Sequence, residues 1–189
     1  MRSKLPLLLI LALPGSARAQ AGPPPSTTDG VRSAAAFTVT GGKLAGTTGA
    51  HIGGWGGLVF GDRFLLGGGG FAITKNVELP GLDDLRMGYG GIVVRYWGTV
   101  SRELTWGVGA LLGAGNARIR NRVVGTELGS DNFVLAEPSL SLAHPLIRSL
   151  HLEVALGYRK AWGVEDLPTL SADDLTSLTG SISLRLGGM

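Results

Sequence analysis

The sequence has no cysteine in 189 residues. That excludes a disulfide scaffold, and it excludes a lipid-anchored lipoprotein, whose anchor needs a cysteine at the cleavage site. It has no run of about 20 apolar residues, so no helix is expected to cross a bilayer. An excess of one charge is also missing once the start of the chain is set apart. Arg2 and Lys4 precede the short apolar stretch Leu5–Leu13, and Ala17-Arg18-Ala19 has the small-x-small form of a cleavage site. Residues 1–19 therefore read as a secretory signal peptide, cut before Gln20. They hold three of the 17 Lys and Arg and none of the 14 Asp and Glu, so the remainder is close to neutral. A neutral chain has no clustered basic excess for nucleic acid. Aromatics are few: 4 Trp, 3 Tyr and 5 Phe.

Glycine is what the chain has in abundance, 32 of 189 residues, with no Gly-X-Y period that would make it collagen. No G-x-x-x-x-G-K-[ST] occurs, and no glycine cluster opens a helix, so the glycines do not read as a phosphate loop. Residues 20–33, with Pro23-Pro24-Pro25, read as a flexible polar leader. The remaining span, 34–189, reads as one domain.

That domain alternates. In Leu150–Arg159, Leu150, Leu152, Val154, Leu156 and Tyr158 share one parity, and His151, Glu153, Ala155, Gly157 and Arg159 share the other. Thr176–Leu186 repeats the pattern, with Leu178, Ile182, Leu184 and Leu186 against Ser177, Thr179, Ser181, Ser183 and Arg185. Period-two alternation marks strands with two unlike faces. Eight such segments are predicted, at 34–44, 50–60, 63–75, 85–97, 103–117, 132–143, 149–160 and 175–187, with no convincing amphipathic helix. Most exceed the ordinary soluble strand of about 5–6 residues and fit the roughly 9–11 needed to cross a bilayer at a tilt.

The links alternate in length. Gly61-Asp62, Gly98–Arg102 and His144–Arg148 are short; Asn76–Asp84, Arg118–Asp131 and Ala161–Asp174 are longer. Only the first link, near Ala45–Gly49, is short where a long one is due. Short periplasmic turns and longer outer loops are the pattern of outer-membrane barrels. The expected fold is thus all-β, an eight-stranded antiparallel up-and-down transmembrane β-barrel, leucines toward lipid and glycines lining the lumen. The runs Gly53-Gly54-Trp55-Gly56-Gly57 and Gly67–Gly70 give no parity of their own. Trp97 and Trp106 flank a short turn and are expected in an inner aromatic girdle, with Tyr158 and Trp162 in an outer one.

Signal peptide, absent cysteine, long alternating strands, staggered links and a strand at the C-terminal end together resemble the small outer-membrane β-barrels of the OmpA/OmpX type. The resemblance covers roughly residues 34–189 and is architectural. The class usually closes on an aromatic residue, whereas this sequence closes on Leu186-Gly187-Gly188-Met189. The resemblance implies a bacterial outer-membrane location and, as partners, outer-membrane lipid, lipopolysaccharide and the outer-membrane assembly machinery; no specific protein partner follows from it.

Three groupings could carry chemistry. Glu137, His151, Glu153, Arg159 and Arg185 share the presumed lumen face and are expected to form an interior polar network, Glu137 pairing with Arg159 or Arg185. Arg118, Arg120 and Arg122 share one side at the start of the second long link and could meet lipopolysaccharide phosphates or form a solvated rim. Some barrels of this class modify lipid A, the deacylases with a His and a Ser two residues apart; His51, His144 and His151 are followed at that distance by Gly53, Leu146 and Glu153. The histidines have no metal spacing. No catalytic residue, metal or cofactor is expected. The function expected is a structural or surface-interaction role with little or no conductance. A secreted or periplasmic lipocalin-like barrel with leucines inside, around an apolar ligand, is the first alternative, and a lipid A-modifying enzyme the second.

Overall fold

A computed structural model describes residues 30–44, 46–74, 77–79, 83–101, 103–121, 126–164 and 170–187. Residues 1–29, which include the expected signal peptide and most of the expected leader, lie outside the described residues, as does Arg122. The elements in order are β1 (Val31–Leu44), β2 (Thr47–Phe60), β3 (Phe64–Ile73), β4 (Val77–Leu79), β5 (Asp83–Ser101), β6 (Leu104–Asn121), β7 (Glu127–Ile147), β8 (Leu150–Trp162), α1 (Ala172–Leu175) and β9 (Ser177–Leu186). Every long strand pairs antiparallel with its chain neighbour, β3 pairs with β5, and β1 pairs with β9. Eight strands therefore close into one ring, with β4 as a short arm on β5. Closure removes the free edges, which is what hydrocarbon demands of a sheet.

The eight predicted segments correspond to the eight ring strands, but the bounds differ. β1 starts at Val31, so Val31, Arg32 and Ser33 of the expected leader pair with Phe60, Val59 and Leu58. Much of Arg118–Asp131, read as a link, is strand: β6 runs on to Asn121, β7 begins at Glu127, and the two stay paired there. Polar residues on the outward face of these arms have the composition of a loop, while Leu85, Met87, Ala117 and Ile119 stay buried on the inward face. Among the described residues one helix, the four-residue α1, sits in the last long link. Ser171 caps it through Asp174, whose carboxylate accepts from the Ser171 backbone N–H and hydroxyl, both at 2.8 Å.

The turn between β2 and β3 holds Gly61 and Asp62, both at positive φ (56° and 60°). They are the central residues of a turn that Arg63 N–H closes on the Phe60 carbonyl at 3.2 Å, and positive φ at both matches the twist of the strands the turn joins. Side by side across the ring, Gly57 faces Gly67 and Gly91 faces Gly113. A Cβ at Gly67 or at Gly91 would lie 2.1 Å from a backbone oxygen of the next strand, so these inward glycines let neighbouring strands approach and the small ring close. Outward Gly68 and Gly70 meet nothing nearer than 3.6 Å.

The two faces of the wall are cleanly sorted. Leu156 is 74 % exposed and Leu178 76 %, within a belt that includes Leu140, Leu142, Leu152, Val154, Ile182, Leu184 and Leu186. Phe60, Phe64, Tyr96 and Trp106 point outward near the short turns, with Tyr96 and Trp106 in ring contact at 5.9 Å. Tyr158 and Trp162 point outward near the long links. Trp97 corrects the expectation that placed it beside Trp106 in the inner girdle. It is 1 % exposed and points into the barrel, because it has the parity of inward Val93 and Arg95. Tyr96 takes the outward place.

Candidate functional site

The lumen is packed in layers, and the strand registers explain them. Toward the short turns lies a layer around Glu153. Its Oε1 accepts from Arg95 Nη2, and its Oε2 is 3.8 Å from Arg185 Nη1. Arg95 Nη2 also reaches Ser141 Oγ at 3.4 Å. The Arg95 guanidinium lies 4.6 Å from the Trp55 ring centre, and that of Arg185 lies 4.7 Å from Trp97. Two cations thus share one carboxylate, with aromatic faces supplying the rest of their electrostatic environment.

Toward the long links lies a second layer around Arg159. Its Nε donates to Glu137 Oε2 at 2.8 Å, and its Nη2 donates to the Tyr89 hydroxyl. Thr179 Oγ1 donates to Glu137 Oε1 at 2.9 Å. Tyr89 is stacked on Phe71 at 5.4 Å and meets His51 edge-on at 5.7 Å. A ladder irregularity accompanies this pair. Pairing between β7 and β8 omits Glu137 and Pro138, opposite Tyr158 and Arg159. Pro138 has no N–H to give a ladder.

Between the layers is a cavity of about 70 Å³, touching Arg95 on one side and Glu137 on the other. Hydroxyls of Thr38, Thr40, Ser139, Thr179, Ser181 and Ser183 line it, and Thr38 and Ser183 bond to each other at 2.8 Å. Above the Arg159 layer the loop end is filled with apolar side chains, among them Leu44, Leu85, Ile119, Phe133, Leu135, Leu170 and Leu175. From that end inward the order is apolar plug, ion pair, hydroxyl-lined cavity and ionic triad.

The residues singled out in the sequence divide accordingly. Glu137 and Arg159 form one layer, Glu153 and Arg185 belong to the other, and Glu137 meets Arg159 rather than Arg185. His151 is buried on the same face, paired in register with Arg185, but its Nδ1 has no hydrogen-bond partner among the described residues. Sequence reasoning missed Arg95, Tyr89, Trp55 and His51. Arg95 was within reach: the alternation Val93, Arg95, Trp97 carries an inward face once Tyr96 is turned out. His51 and Trp55 stand among glycines on β2, where parity has no large side chains to mark it.

Arg118 and Arg120 are exposed on the outward face of β6, above the apolar belt. Arg118 stands opposite Arg86 of β5, also outward and exposed. His51 and His151 point inward from β2 and β8, while His144 is exposed and sits 2.8 Å from the Glu103 carbonyl. Among the described residues no cluster of three or more His, Asp or Glu has the form of a metal site.

No protein-family model and no curated protein matches the sequence. Solved structures do. Neisserial surface protein A superposes with a TM-score of 0.56 at 12 % identity, over 82 % of this chain and 96 % of that one. The N-terminal β-barrel domain of Pseudomonas aeruginosa OprF superposes with a TM-score of 0.53 at 15 % identity, again over 82 % and 96 %. This chain has the fold of the small eight-stranded outer-membrane β-barrels. An aliphatic belt on the outside of that closed ring makes it an outer-membrane protein. The lipocalin-like alternative required aliphatic rows inside. The barrel puts them outside and fills its interior with ion pairs.

Proposed function

We propose that this barrel has a structural or surface-interaction role in the outer membrane and passes little or no current. The observation that carries the reading is the stacked filling of the lumen: an apolar plug over the Arg159–Glu137–Tyr89 layer, over the Arg95–Glu153–Arg185 layer. Eight strands enclose an interior that side chains can fill, and among the described residues Arg95, Arg159, Arg185, Glu137 and Glu153 share it with the rings of Trp55, Phe71, Tyr89, Trp97 and Phe133. A conducting path needs a continuous wet bore, and both ionic layers lie across it.

The surface role belongs to the rim at the long links, the outer side in this fold. Arg118 stands there beyond the aliphatic belt and faces outward, suited to phosphates of lipopolysaccharide. Tyr158 and Trp162 anchor the barrel at that boundary, and Trp106 at the other. The reading includes no catalysis: the three histidines are dispersed over β2, β7 and β8.

Planar-bilayer recording of the refolded full chain tests the reading. The expected record is a flat baseline after insertion, with insertion verified by heat-modifiable gel migration and by resistance to urea extraction. Long-lived ohmic steps from verified protein overturn it. Lipid A mass spectra with and without the gene should be identical; a gained or lost acyl chain overturns the non-enzymatic part.

A further inference from the structure

We propose that Arg86 and Arg118 form a phosphate clamp for a phosphorylated lipid of the surrounding outer leaflet. The proposal rests on the outer-membrane reading above and adds to it the residues that recognise the lipid and the side of the barrel on which it sits. Arg86 and Arg118 are directly opposite each other in the β5–β6 register. Both are exposed and both face outward. Opposed residues in an antiparallel pair have Cβ atoms about 4.5–5.5 Å apart, and like charges at that spacing destabilise the pair. An anion between them removes the repulsion, and two planar guanidinium forks suit the oxygens of one phosphate.

Position selects a lipid as the source of that phosphate. Directly below the arginines on the outward face come Gly88 and Asn116, then Gly90 and Ala114, then the exposed Ile92 and Leu112 of the belt. Ala114 pairs with Val134, which pairs with Trp162 of the outer girdle, so the cations stand four residues along the strand beyond that boundary, on the headgroup side. A groove of about 530 Å³ adjoins them, with Ala72, Ile73 and Gly88 among its lining. Below it on the outward wall Gly70 of β3 faces Gly90 of β5, and Gly68 faces the exposed Ile92, so a strip bare of side chains runs down β3 beside an aliphatic one. A headgroup phosphate on the arginines thus has a smooth track beneath it for its acyl chains.

The neighbouring charges single out this pair. Arg118 Nε donates to Asn116 Oδ1 at 2.8 Å, which steadies its guanidinium. Arg120, two residues higher, is paired in register with Asp84 of β5 and Glu127 of β7. Arg118 lies between Arg86 and Ser130. The clamp is Arg86 with Arg118, and Arg120 is outside it.

Native mass spectrometry of the refolded full chain tests this, with diphosphoryl lipid A, the same lipid stripped of phosphate, and inorganic phosphate as probes. The unaltered protein should retain one diphosphoryl lipid A and hold the stripped lipid about tenfold less, the effect of losing one charge-assisted contact. R86Q/R118Q should show the same loss, and R120Q should match the unaltered protein. Millimolar inorganic phosphate should leave the lipid bound. Equal retention of the stripped lipid overturns the proposal without any variant. So does full retention by R86Q/R118Q verified as folded by heat-modifiable migration. Displacement by inorganic phosphate also overturns it, since it makes the site one for free anions. Conductance is read separately: an open barrel that still selects diphosphoryl lipid overturns the closed-lumen reading and leaves the clamp standing.

Discussion

The two ionic layers of the lumen use the same residue types and are built differently. Around Arg159 the charges balance one to one. Glu137 engages a guanidinium with one oxygen and the Thr179 hydroxyl with the other, and Tyr89 takes a further arginine proton. Around Glu153 the count is two cations to one anion, and the second contact is long, at 3.8 Å. Among the described residues, Arg185 keeps two N–H nitrogens without hydrogen-bond partners, against one for Arg159. The difference shows two ways of keeping an arginine inside a barrel. One surrounds it with acceptors. The other rests it on indole faces and lets it share a carboxylate, so that everything depends on that carboxylate.

This asymmetry makes Glu153→Gln the most damaging change in the lumen. It leaves Arg95 and Arg185 buried together with no countercharge, and removing one partner of a buried pair costs about 3–5 kcal/mol. Urea midpoints followed by tryptophan fluorescence in lipid vesicles measure it; Trp55 and Trp97, which touch these arginines, report directly. Glu137→Gln is expected to cost less, about 1–3 kcal/mol. Glu137 is 15 % exposed where Glu153 is 1 %, and Arg159 keeps the Tyr89 hydroxyl and ring. Equal losses from the two substitutions would erase the distinction between the layers. Arg95→Met sharpens it: the remaining Arg185 and Glu153 then form a one-to-one pair, so the loss should fall well below that of Glu153→Gln.

How far all this was legible in the sequence depended on whether alternation had large side chains to act on. Leu150–Arg159 and Thr176–Leu186 alternate apolar with polar, and their faces in the barrel are those the parity gives. Where both parities carry glycine, as in Gly53–Gly57, periodicity has no amplitude, and the inward Trp55 and His51 went unassigned. Trp97 departs from the girdle expectation because strand parity, not proximity to a turn, sets the face it occupies. The extended arms of β5, β6 and β7 were hidden for another reason. Past the belt the outward side meets water, so Arg86, Arg118 and Arg120 look like loop residues although the ladder continues. The pairing of Glu137 with Arg159, and of Arg86 with Arg118, depends on strand register, which no single strand encodes.

The smallest expected effect probes whether the two layers are independent. Thr38 and Ser183 join their hydroxyls at 2.8 Å on the wall of the cavity that separates the layers. Thr38→Val preserves shape and removes one hydroxyl, so the loss should be about 0.5–1.5 kcal/mol, the net worth of one hydrogen bond. The cavity keeps it near the low end, since about 70 Å³ admits a water that can satisfy Ser183. The decisive quantity is the coupling in the double variant with Glu137→Gln. Independent layers give urea-derived losses that add within about 0.5 kcal/mol. A coupling well above that would mean the hydroxyl belt transmits between the ion pair and the triad, and the lumen would then be one network with two centres rather than two layers stacked in a barrel.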